Sequence, residues 1–379
     1  MPTKDEARHE VHSLLADIEL NDYLSTKPPC GVFTISPDCS LAVALHRLAA
    51  ANVISAPLVS EDNEYLGFIE VMDILSAIFE GGQWDPDLCA AEQLPAIAGF
   101  LQETAVTEIP RSNDVEVLYR TQGKVTLLEI VKKGFVLPAF KLWCHRLAIV
   151  DVNDSSDAAA GKIIGAGVAK KEHEIISIFS QSDVVRYLNS HSYQLPTFMA
   201  TPITFFGLGK KPVFSVPHDM PAAEAFRTML LASGVTAAAV LRNGKLVGNL
   251  SPTDLRGIAP EELAQLDLPV LDFIATRNQR GDTVHVPGSL ASIYGVKSPR
   301  TAVTSTATGN TNEQNLACVS INATMGQVVS LLAERGVHRV YVIEERNDGE
   351  EESKQDGDGV GGLCGIVSLS DILTAVIGP

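Results

Sequence analysis

Two hydroxyls and a carboxylate near the end of the chain are the first residues whose types and spacing suggest chemistry. Ser368, Ser370 and Asp371 stand between a short apolar run and a helix-like apolar run. An Asp at a helix start can accept two hydrogen bonds from the vicinal hydroxyls of a ribose. The hydroxyls that precede it, with the free amides of the first helical turn, can face a phosphate, because a helix N-terminus carries partial positive charge. Occurring once, the stretch would be better explained as an ordinary helix N-cap.

The stretch does not occur once, which favours a shared function. A Gly, an Asp six positions later and an apolar run recur at 67–73, 248–254 and 365–371, and a copy at 177–183 replaces only the Gly. Both hydroxyls and the carboxylate are present in these sets: Ser180, Ser182 and Asp183; Ser251, Thr253 and Asp254; Ser368, Ser370 and Asp371. The copy that ends at Asp73 has Glu70 and Met72 instead. A Glu that faces a phosphate would weaken its binding, so this copy is a poor candidate for a site.

Each copy is preceded by the same succession of a strand, a helix and a second strand, judged from the apolar periodicity. These three elements are expected at 32–35, 40–50 and 56–59 in repeat 1; 116–119, 125–133 and 147–150 in repeat 2; 213–216, 222–231 and 238–241 in repeat 3; and 317–321, 325–334 and 339–343 in repeat 4. Each repeat is therefore a β-α-β-β-α unit with its Asp at the start of the second helix. The fold class is α/β (α+β).

A unit of that size leaves one apolar sheet face uncovered, so the repeats should pack in pairs. We expect two domains, residues 1–195 with repeats 1 and 2 and residues 196–379 with repeats 3 and 4, divided at the polar, Pro-containing stretch 193–197. Polar or Gly-rich insertions at 153–174, 298–315 and 347–362 are predicted to be loops.

A second set of residues could bind anions. His145-Arg146 and His338-Arg339 each begin the second strand of their repeat, where repeat 1 has Ile54-Ser55 and repeat 3 has Thr236-Ala237. The planar guanidinium suits phosphate, and an imidazole is a donor whose charge can rise beside an anion. The alternative is a solvated or core-edge His-Arg pair, but two copies at matching positions favour contact with phosphate. Thr236 could still donate a hydrogen bond.

The four repeats resemble the CBS domain, whose tandem pairs form Bateman modules that commonly bind adenosine nucleotides between repeats. The resemblance covers residues 20–377, and the runs 337–343 and 365–373 resemble the fourth repeat of the γ regulatory subunit of AMP-activated and sucrose-non-fermenting-related protein kinases. The run 180–188 and the long insertions resemble plant-type γ-like proteins. The resemblance implies ribose contacts from Asp371, Asp254 and Asp183. It implies phosphate contacts from His338, Arg339, His145, Arg146, Ser368, Ser370, Ser251, Thr253, Ser180, Ser182 and Thr236.

These residues predict a non-catalytic regulatory subunit that binds AMP, ADP or ATP between repeats and modulates a kinase of this class. Kinase α and β subunits are the implied partners, and the nucleotide is a regulatory ligand rather than a cofactor. Because repeat 1 lacks the basic residue that the γ family usually has, we expect one or two occupied sites, with Asp371 and either Asp254 or Asp183. The alternative is a CBS-fold scaffold, or a regulator of a phosphatase or redox protein, with degenerate nucleotide sites.

Composition and motifs exclude several other classes of protein. The net charge of −17 over 379 residues repels nucleic acid and acidic membranes. Six scattered cysteines form no C-x-x-C pair, and His9-Glu10-Val11-His12 lacks the spacing of a zinc-protease helix. The run 207–211 is not a phosphate-binding Walker loop, and no nucleophile, base and orienting group stand together. With no signal peptide or membrane span in the sequence, we expect a cytoplasmic or nuclear location.

Overall fold

A computed structural model describes residues 3–27, 31–81, 83–85, 88, 90–110, 117–120, 125–136, 145–151, 163–164, 175–232, 235–280, 316–344 and 360–378. The predicted loop at 298–315 lies outside these residues, as do the predicted loops at 153–174 and 347–362 apart from 163–164 and 360–362.

The described helices follow the periodic apolar segments. They are α1 (Lys4–Ala16), α2 (Leu20–Ser25), α3 (Leu41–Ala50), α4 (Val71–Phe79), α5 (Ala90–Glu103), α6 (Leu127–Ile130), α7 (Gln181–Ser190), α8 (Pro196–Ala200), α9 (Ala222–Leu231), α10 (Val270–Arg280), α11 (Met325–Arg335) and α12 (Leu369–Ile377). A π-helical turn over Val131–Phe135 continues α6. Turns of 3₁₀ helix cover Val106–Glu108, Ser192–Gln194, Ile203–Phe206, Pro252–Leu255 and Pro260–Asp267.

The strands are short and pair within and between repeats. They are β1 (Ser55–Val59), β2 (Tyr65–Glu70), β3 (Val117–Arg120), β4 (Arg146–Asp151), β5 (Ile163–Ile164), β6 (Ile175–Ser180), β7 (Ser215–Pro217), β8 (Ala238–Arg242), β9 (Lys245–Leu250), β10 (Cys318–Ser320), β11 (Arg339–Ile343) and β12 (Val360–Ser368). Within the described part of the chain they form sheets ordered β1-β2, β5-β3-β4-β6 and β10-β11-β12-β9-β8-β7.

The predicted repeat architecture is confirmed, with departures in repeats 1 and 3. The first strand predicted for repeat 1, at 32–35, is reduced to a single parallel bridge between Ile35 and Leu58. Asp73, Asp183 and Asp371 lie in the first turn of an α-helix, as expected. Asp254 instead lies in a 3₁₀ turn that ends at Leu255. The sequence that follows cannot continue a helix, because Gly257 has a φ of +72° and Pro260 disfavours helical geometry in the residue before it.

The sheets of neighbouring repeats face each other. Tyr65 and Phe68 of repeat 1 pack with Ala148, Val150 and Ile175 of repeat 2 in one buried cluster. Ala239 and Leu246 of repeat 3 pack with Tyr341 of repeat 4 in another, where β9 also pairs antiparallel with β12.

The helices form two larger cores that join different pairs of repeats. The first core combines repeat 1 with repeat 3 and includes the buried Leu48, Ile74, Phe226 and Phe273. The second combines repeat 2 with repeat 4 and includes the buried Val184, Leu188, Val329 and Ile372. Helix α1 adds Val11 and Leu15 to the second core. Every repeat therefore packs against two others, and the four form a closed ring.

The stretch 193–197 leads directly into this second core. Tyr193 is 76% exposed, but Leu195 and Phe198 are fully buried. The carboxylate of Glu10 accepts hydrogen bonds from the backbone N–H groups of Thr197 and Phe198, at 3.1 and 2.9 Å. Helix α1 thus satisfies the free amides at the start of α8 and fixes this segment.

Candidate anion-binding site where the repeats meet

Strand register places each Arg of the His-Arg pairs beside the start of its own repeat's second helix. Arg146 pairs with Ser180 across β4 and β6, and Arg339 pairs with Ser368 across β11 and β12. Directly opposed residues on antiparallel strands project to the same face, with Cβ atoms roughly 5 Å apart. A guanidinium and a helix N-terminus therefore lie next to each other in both repeats.

The helix starts are built from capping boxes. Ser180 and Ser368 accept hydrogen bonds from the N–H groups of Asp183 and Asp371, both at 3.3 Å. One carboxylate oxygen of each Asp accepts the N–H of that same serine, at 2.7 and 2.8 Å. The N-cap interpretation thus describes the first hydroxyl and one oxygen of each carboxylate, and the other oxygen of each Asp is left for a different partner.

Repeats 3 and 1 use the same arrangement. Asp254 accepts the N–H of Ser251 at 2.7 Å, and Asp73 accepts the N–H of Glu70 at 2.8 Å. The second hydroxyl of each set, one residue before the Asp, has a different environment in each repeat. Thr253 lies 2.5 Å from the Ser251 hydroxyl, and Ser182 is half-buried.

Ser370 links two repeats. Its hydroxyl donates a hydrogen bond of 3.0 Å to the side-chain oxygen of Gln181, the buried first residue of α7. Gln181 is also hydrogen-bonded to His145. The second hydroxyl of repeat 4 is therefore connected to the His-Arg pair of repeat 2, and the sequence analysis did not anticipate Gln181.

The two His-Arg pairs converge. Desolvation, together with the charges of Arg339, Arg146, His145 and Arg186, lowers the pKa of His338 to about 4. Desolvation also lowers the pKa of His145, with added effects from Arg146 and Arg339. Groups that act on each other in this way face one shared space between repeats 2 and 4.

That space is open to solvent. Both imidazoles keep an exposed surface, although the protein around them desolvates their charged forms. A side chain that is crowded by protein and still exposed lines a crevice. In a chain of net charge −17, a crevice lined by arginines and histidines is a local site for an anion.

The two remaining repeats hold the arginines in place. Arg339 donates a hydrogen bond of 2.9 Å from Nη2 to the hydroxyl of Thr236 in repeat 3. The Nη2 atom of Arg146 lies 3.6 Å from Oε1 of Glu70 in repeat 1. All four repeats therefore contribute to the crevice, which we call the junction.

Asp183 is already bound by its own chain. Its second carboxylate oxygen lies 3.1 Å from Nζ of Lys27, 3.2 Å from the Tyr23 hydroxyl and 3.5 Å from Arg186. Tyr23 is buried against the Phe179 ring, with centroids 5.4 Å apart. Burial and the charge of Asp183 raise the pKa of Tyr23. Residues from the start of the chain thus contact the second carboxylate oxygen of Asp183.

Asp371 is more accessible. Its second oxygen lies 3.7 Å from Nζ of Lys211, whose side chain is 64% exposed. Lys211 precedes the first strand of repeat 3 as Lys27 precedes repeat 1. The two lysines are thus placed alike beside the acids of repeats 4 and 2. Lys27 also donates a hydrogen bond of 2.9 Å to the backbone carbonyl of Ile178.

Asp254 differs from the other two acids in its partners. Burial raises its pKa and outweighs the hydrogen bonds from Ser251 and the charges of Arg277 and Arg256, which lower it, so that the pKa of Asp254 is about 6. Arg277 also donates to the backbone carbonyl groups of Asp254 and Arg256, each at 2.9 Å. Arg277 thereby completes the short 3₁₀ turn on which Asp254 stands.

Within the described residues, no group of three or more His, Cys, Asp and Glu could hold a metal ion. None of the described helices is long and apolar enough to span a membrane.

The sequence model of the CBS domain matches residues 21–80, 208–261 and 312–378. The chain carries CBS domains in these three ranges. The matched ranges contain repeats 1, 3 and 4, and the Asp-bearing helix starts of those CBS repeats fall inside them.

Two curated relatives from Arabidopsis thaliana are similar over most of their length. SNF1-related protein kinase regulatory subunit gamma-like PV42b is 20% identical over 84% of this chain and 77% of its own. The gamma-like subunit PV42a is 23% identical over 82% of this chain and 75% of its own. The chain is therefore similar, at low identity, to regulatory subunits of SNF1-related kinases.

A solved structure shares the fold over most of the chain. The crystal structure of MJ1225 from Methanocaldococcus jannaschii, a proposed archaeal homologue of g-AMPK, superposes with a TM-score of 0.56 at 14% identity. The match covers 94% of this chain and 99% of that one. At this identity the likeness concerns the arrangement of the CBS repeats.

Proposed function

We propose that this protein is a non-catalytic regulatory subunit that binds AMP, ADP or ATP between its CBS repeats and modulates a SNF1-related or AMP-activated type of protein kinase. The convergence of His145-Arg146 and His338-Arg339 at the junction carries the proposal. The two gamma-like relatives support the choice of kinase and of α and β subunits as partners. Cytoplasm and nucleus are the compartments in which such a subunit would meet them.

The favoured ribose ligand is Asp371. Among the described ion pairs, its second carboxylate oxygen is paired with the exposed Lys211 alone. The corresponding oxygen of Asp183 contacts both Lys27 and Tyr23. The phosphates would extend from Asp371 past the amides of the first turn of α12. His338 and Arg339 would then meet them on the side of the junction.

Regulation would arise from competition. AMP, ADP and ATP differ in phosphate length, so they differ in how many of the cations from repeats 2 and 4 they engage. A ligand shifts a conformational equilibrium only by its difference in affinity for the two states. A ligand that draws both His-Arg pairs together would favour the closed arrangement of the four repeats.

A second candidate is a CBS-fold scaffold, or a regulator of another partner such as a phosphatase or a redox protein, with degenerate nucleotide sites. Two observations favour it: the occupied carboxylate of Asp183, and Glu70 where repeats 2 and 4 have a serine. In this case substitution of Arg339 and Asp371 would leave partner binding unchanged, with and without nucleotide.

The experiment is calorimetry of AMP and ATP with the full-length protein, followed by reconstitution with SNF1-related α and β subunits. We expect nucleotide binding that Arg339→Ala and Asp371→Asn both weaken, and kinase activity that responds to nucleotide in the ternary complex. Absence of binding at near-millimolar nucleotide would overturn the sensor function and leave the scaffold.

A further inference from the structure

One ion pair at the junction sets repeat 1 apart from repeats 2 and 4. The side chains of Glu70 and Arg146 are only 22% and 16% exposed, and their charged atoms lie 3.6 Å apart. A pair so far removed from water interacts more strongly than one on the surface. It joins the end of β2 in repeat 1 to the start of β4 in repeat 2.

The strand registers show that repeat 1 carries the opposite charge at this position. Glu70 pairs with Ser55, as Ser180 pairs with Arg146 and Ser368 with Arg339. Repeat 1 therefore has a small residue in place of the arginine and an acid in place of the serine. Among the described residues the buried Ser55 hydroxyl has no hydrogen-bond partner, and Ser55 carries no charge that could neutralise Glu70.

We infer that Glu70 is a specificity-determining residue. Its carboxylate binds Arg146 in place of a phosphate and so lowers the affinity of the junction for phosphate-bearing ligands. An incoming phosphate must displace the Glu70 carboxylate from Arg146 or bind with that arginine already neutralised. The carboxylate also repels the ligand, and this repulsion grows with the number of phosphates. Glu70 therefore penalises ATP more than AMP.

This inference deepens the proposed function and rests on it for the identity of the natural ligand. The role of Glu70 itself concerns only negative charge, so it can be tested with inorganic tripolyphosphate, which has neither base nor ribose. Glu70→Gln keeps the size of the side chain and removes its charge. Glu70→Ser gives repeat 1 the residue that repeats 2 and 4 have at this position.

The experiment measures tripolyphosphate, AMP and ATP binding to the full-length protein by calorimetry at low ionic strength. We expect Glu70→Gln and Glu70→Ser to bind tripolyphosphate about tenfold more tightly than the wild type, with a smaller gain for AMP than for ATP. Glu61→Gln, on the exposed β1-β2 turn of the same repeat, makes the same change in net charge and should have no such effect. Thermal melts report whether each variant is folded.

The double variant Glu70→Gln/Arg146→Gln separates this role from a structural one. In the Arg146→Gln background, most of the gain from Glu70→Gln should disappear, because the arginine it releases is absent. Equal or weaker tripolyphosphate binding by both folded Glu70 variants would overturn the inference. A gain for tripolyphosphate without nucleotide binding by any variant would uphold Glu70 and overturn the nucleotide-sensor function.

Discussion

Arg339 in repeat 4 donates a hydrogen bond of 2.9 Å from Nη2 to the hydroxyl of Thr236 in repeat 3. The bond spans two repeats and fixes one side of the planar guanidinium, so that its other N–H groups could face the proposed ligand. Thr236, which stands where repeats 2 and 4 have a histidine, therefore contributes to the junction.

The first prediction concerns this arginine. Arg339→Lys should weaken ATP binding by about tenfold to a hundredfold, because a point charge replaces a fork held in place, and a hydrogen bond to a charged group contributes about 1.5 to 3 kcal/mol. Thr236→Val should weaken binding only a few-fold. Calorimetry checks both, with the exposed Arg47→Lys as the matched control. Unchanged affinity in Arg339→Lys would mean that the guanidinium does not contact phosphate.

The second prediction concerns proton uptake. With its pKa near 4, His338 is neutral at pH 7 in the free protein, and a bound anion stabilises its charged form. The complex then holds more protons than the free protein, so affinity should rise as pH falls from 7.5 towards 6. Calorimetry in buffers of different ionisation enthalpy should show less proton uptake for His338→Gln than for the wild type with the same nucleotide. Equal uptake in the two proteins would exclude His338 as a phosphate contact.

The same histidine affects stability without ligand. Its pKa in the folded chain lies below the ordinary value of 6.5, so the unfolded chain binds the proton first as the pH falls. The contribution of His338 to stability is therefore complete above pH 6.5 and is lost towards pH 4.

The third prediction separates Asp371 from Asp183. Asp371→Asn should lower nucleotide affinity about tenfold or more with little change in stability. Asp183→Asn should leave affinity unchanged but lower the unfolding free energy by about 1 to 3 kcal/mol, because Lys27 and Tyr23 lose a charged partner that is largely buried. Urea denaturation and calorimetry on the same samples measure both quantities. If Asp183→Asn lowered the nucleotide affinity and Asp371→Asn did not, the ribose would bind in repeat 2 instead.

The fourth prediction concerns Asp254. Its pKa of about 6 lies above the ordinary value of 3.8, so the folded protein binds the proton more tightly than the unfolded chain does. The stability that this proton provides is present below pH 4 and is lost as the pH rises through 6. Asp254→Asn should therefore raise the unfolding free energy at pH 7.5 by about 1 kcal/mol and make no difference at pH 4. Urea midpoints at several pH values test this, and a loss of stability at pH 7.5 would contradict it.

The positions of the elements could be predicted from the sequence because they depend on local periodicity. The helix at 222–231 and the strand at 339–343 have the bounds that their apolar residues indicate. The 3₁₀ turn at Asp254 was missed, although Pro252, Gly257 and Pro260 were its signals. Periodicity shows that a helix has an apolar face, but not which helix covers it. The sharing of cores between repeats 1 and 3 and between repeats 2 and 4 was therefore beyond its reach.

The residues of the candidate site could be predicted from the sequence by their residue types, but the side chains that contact them could not. The sequence put Glu70 in doubt as a phosphate neighbour, but only the packing of the repeat 1 sheet against the repeat 2 sheet brings it to Arg146. Gln181 had a usable signal, because the matching positions in the other repeats are Val71, Pro252 and Leu369, none of which is polar. Lys27 and Lys211 had one too, since both precede the first strand of an odd-numbered repeat.

The pairing of repeats by sheets in one direction and by helical cores in the other has a consequence for how the protein can be divided. A fragment cut at residue 195 would keep its sheet contacts but leave half of each large core facing water. Neither half would then be a self-sufficient body, and heat should melt the intact chain in one cooperative step. Because each repeat packs against two others, a structural change in one repeat can reach the repeat opposite through either neighbour.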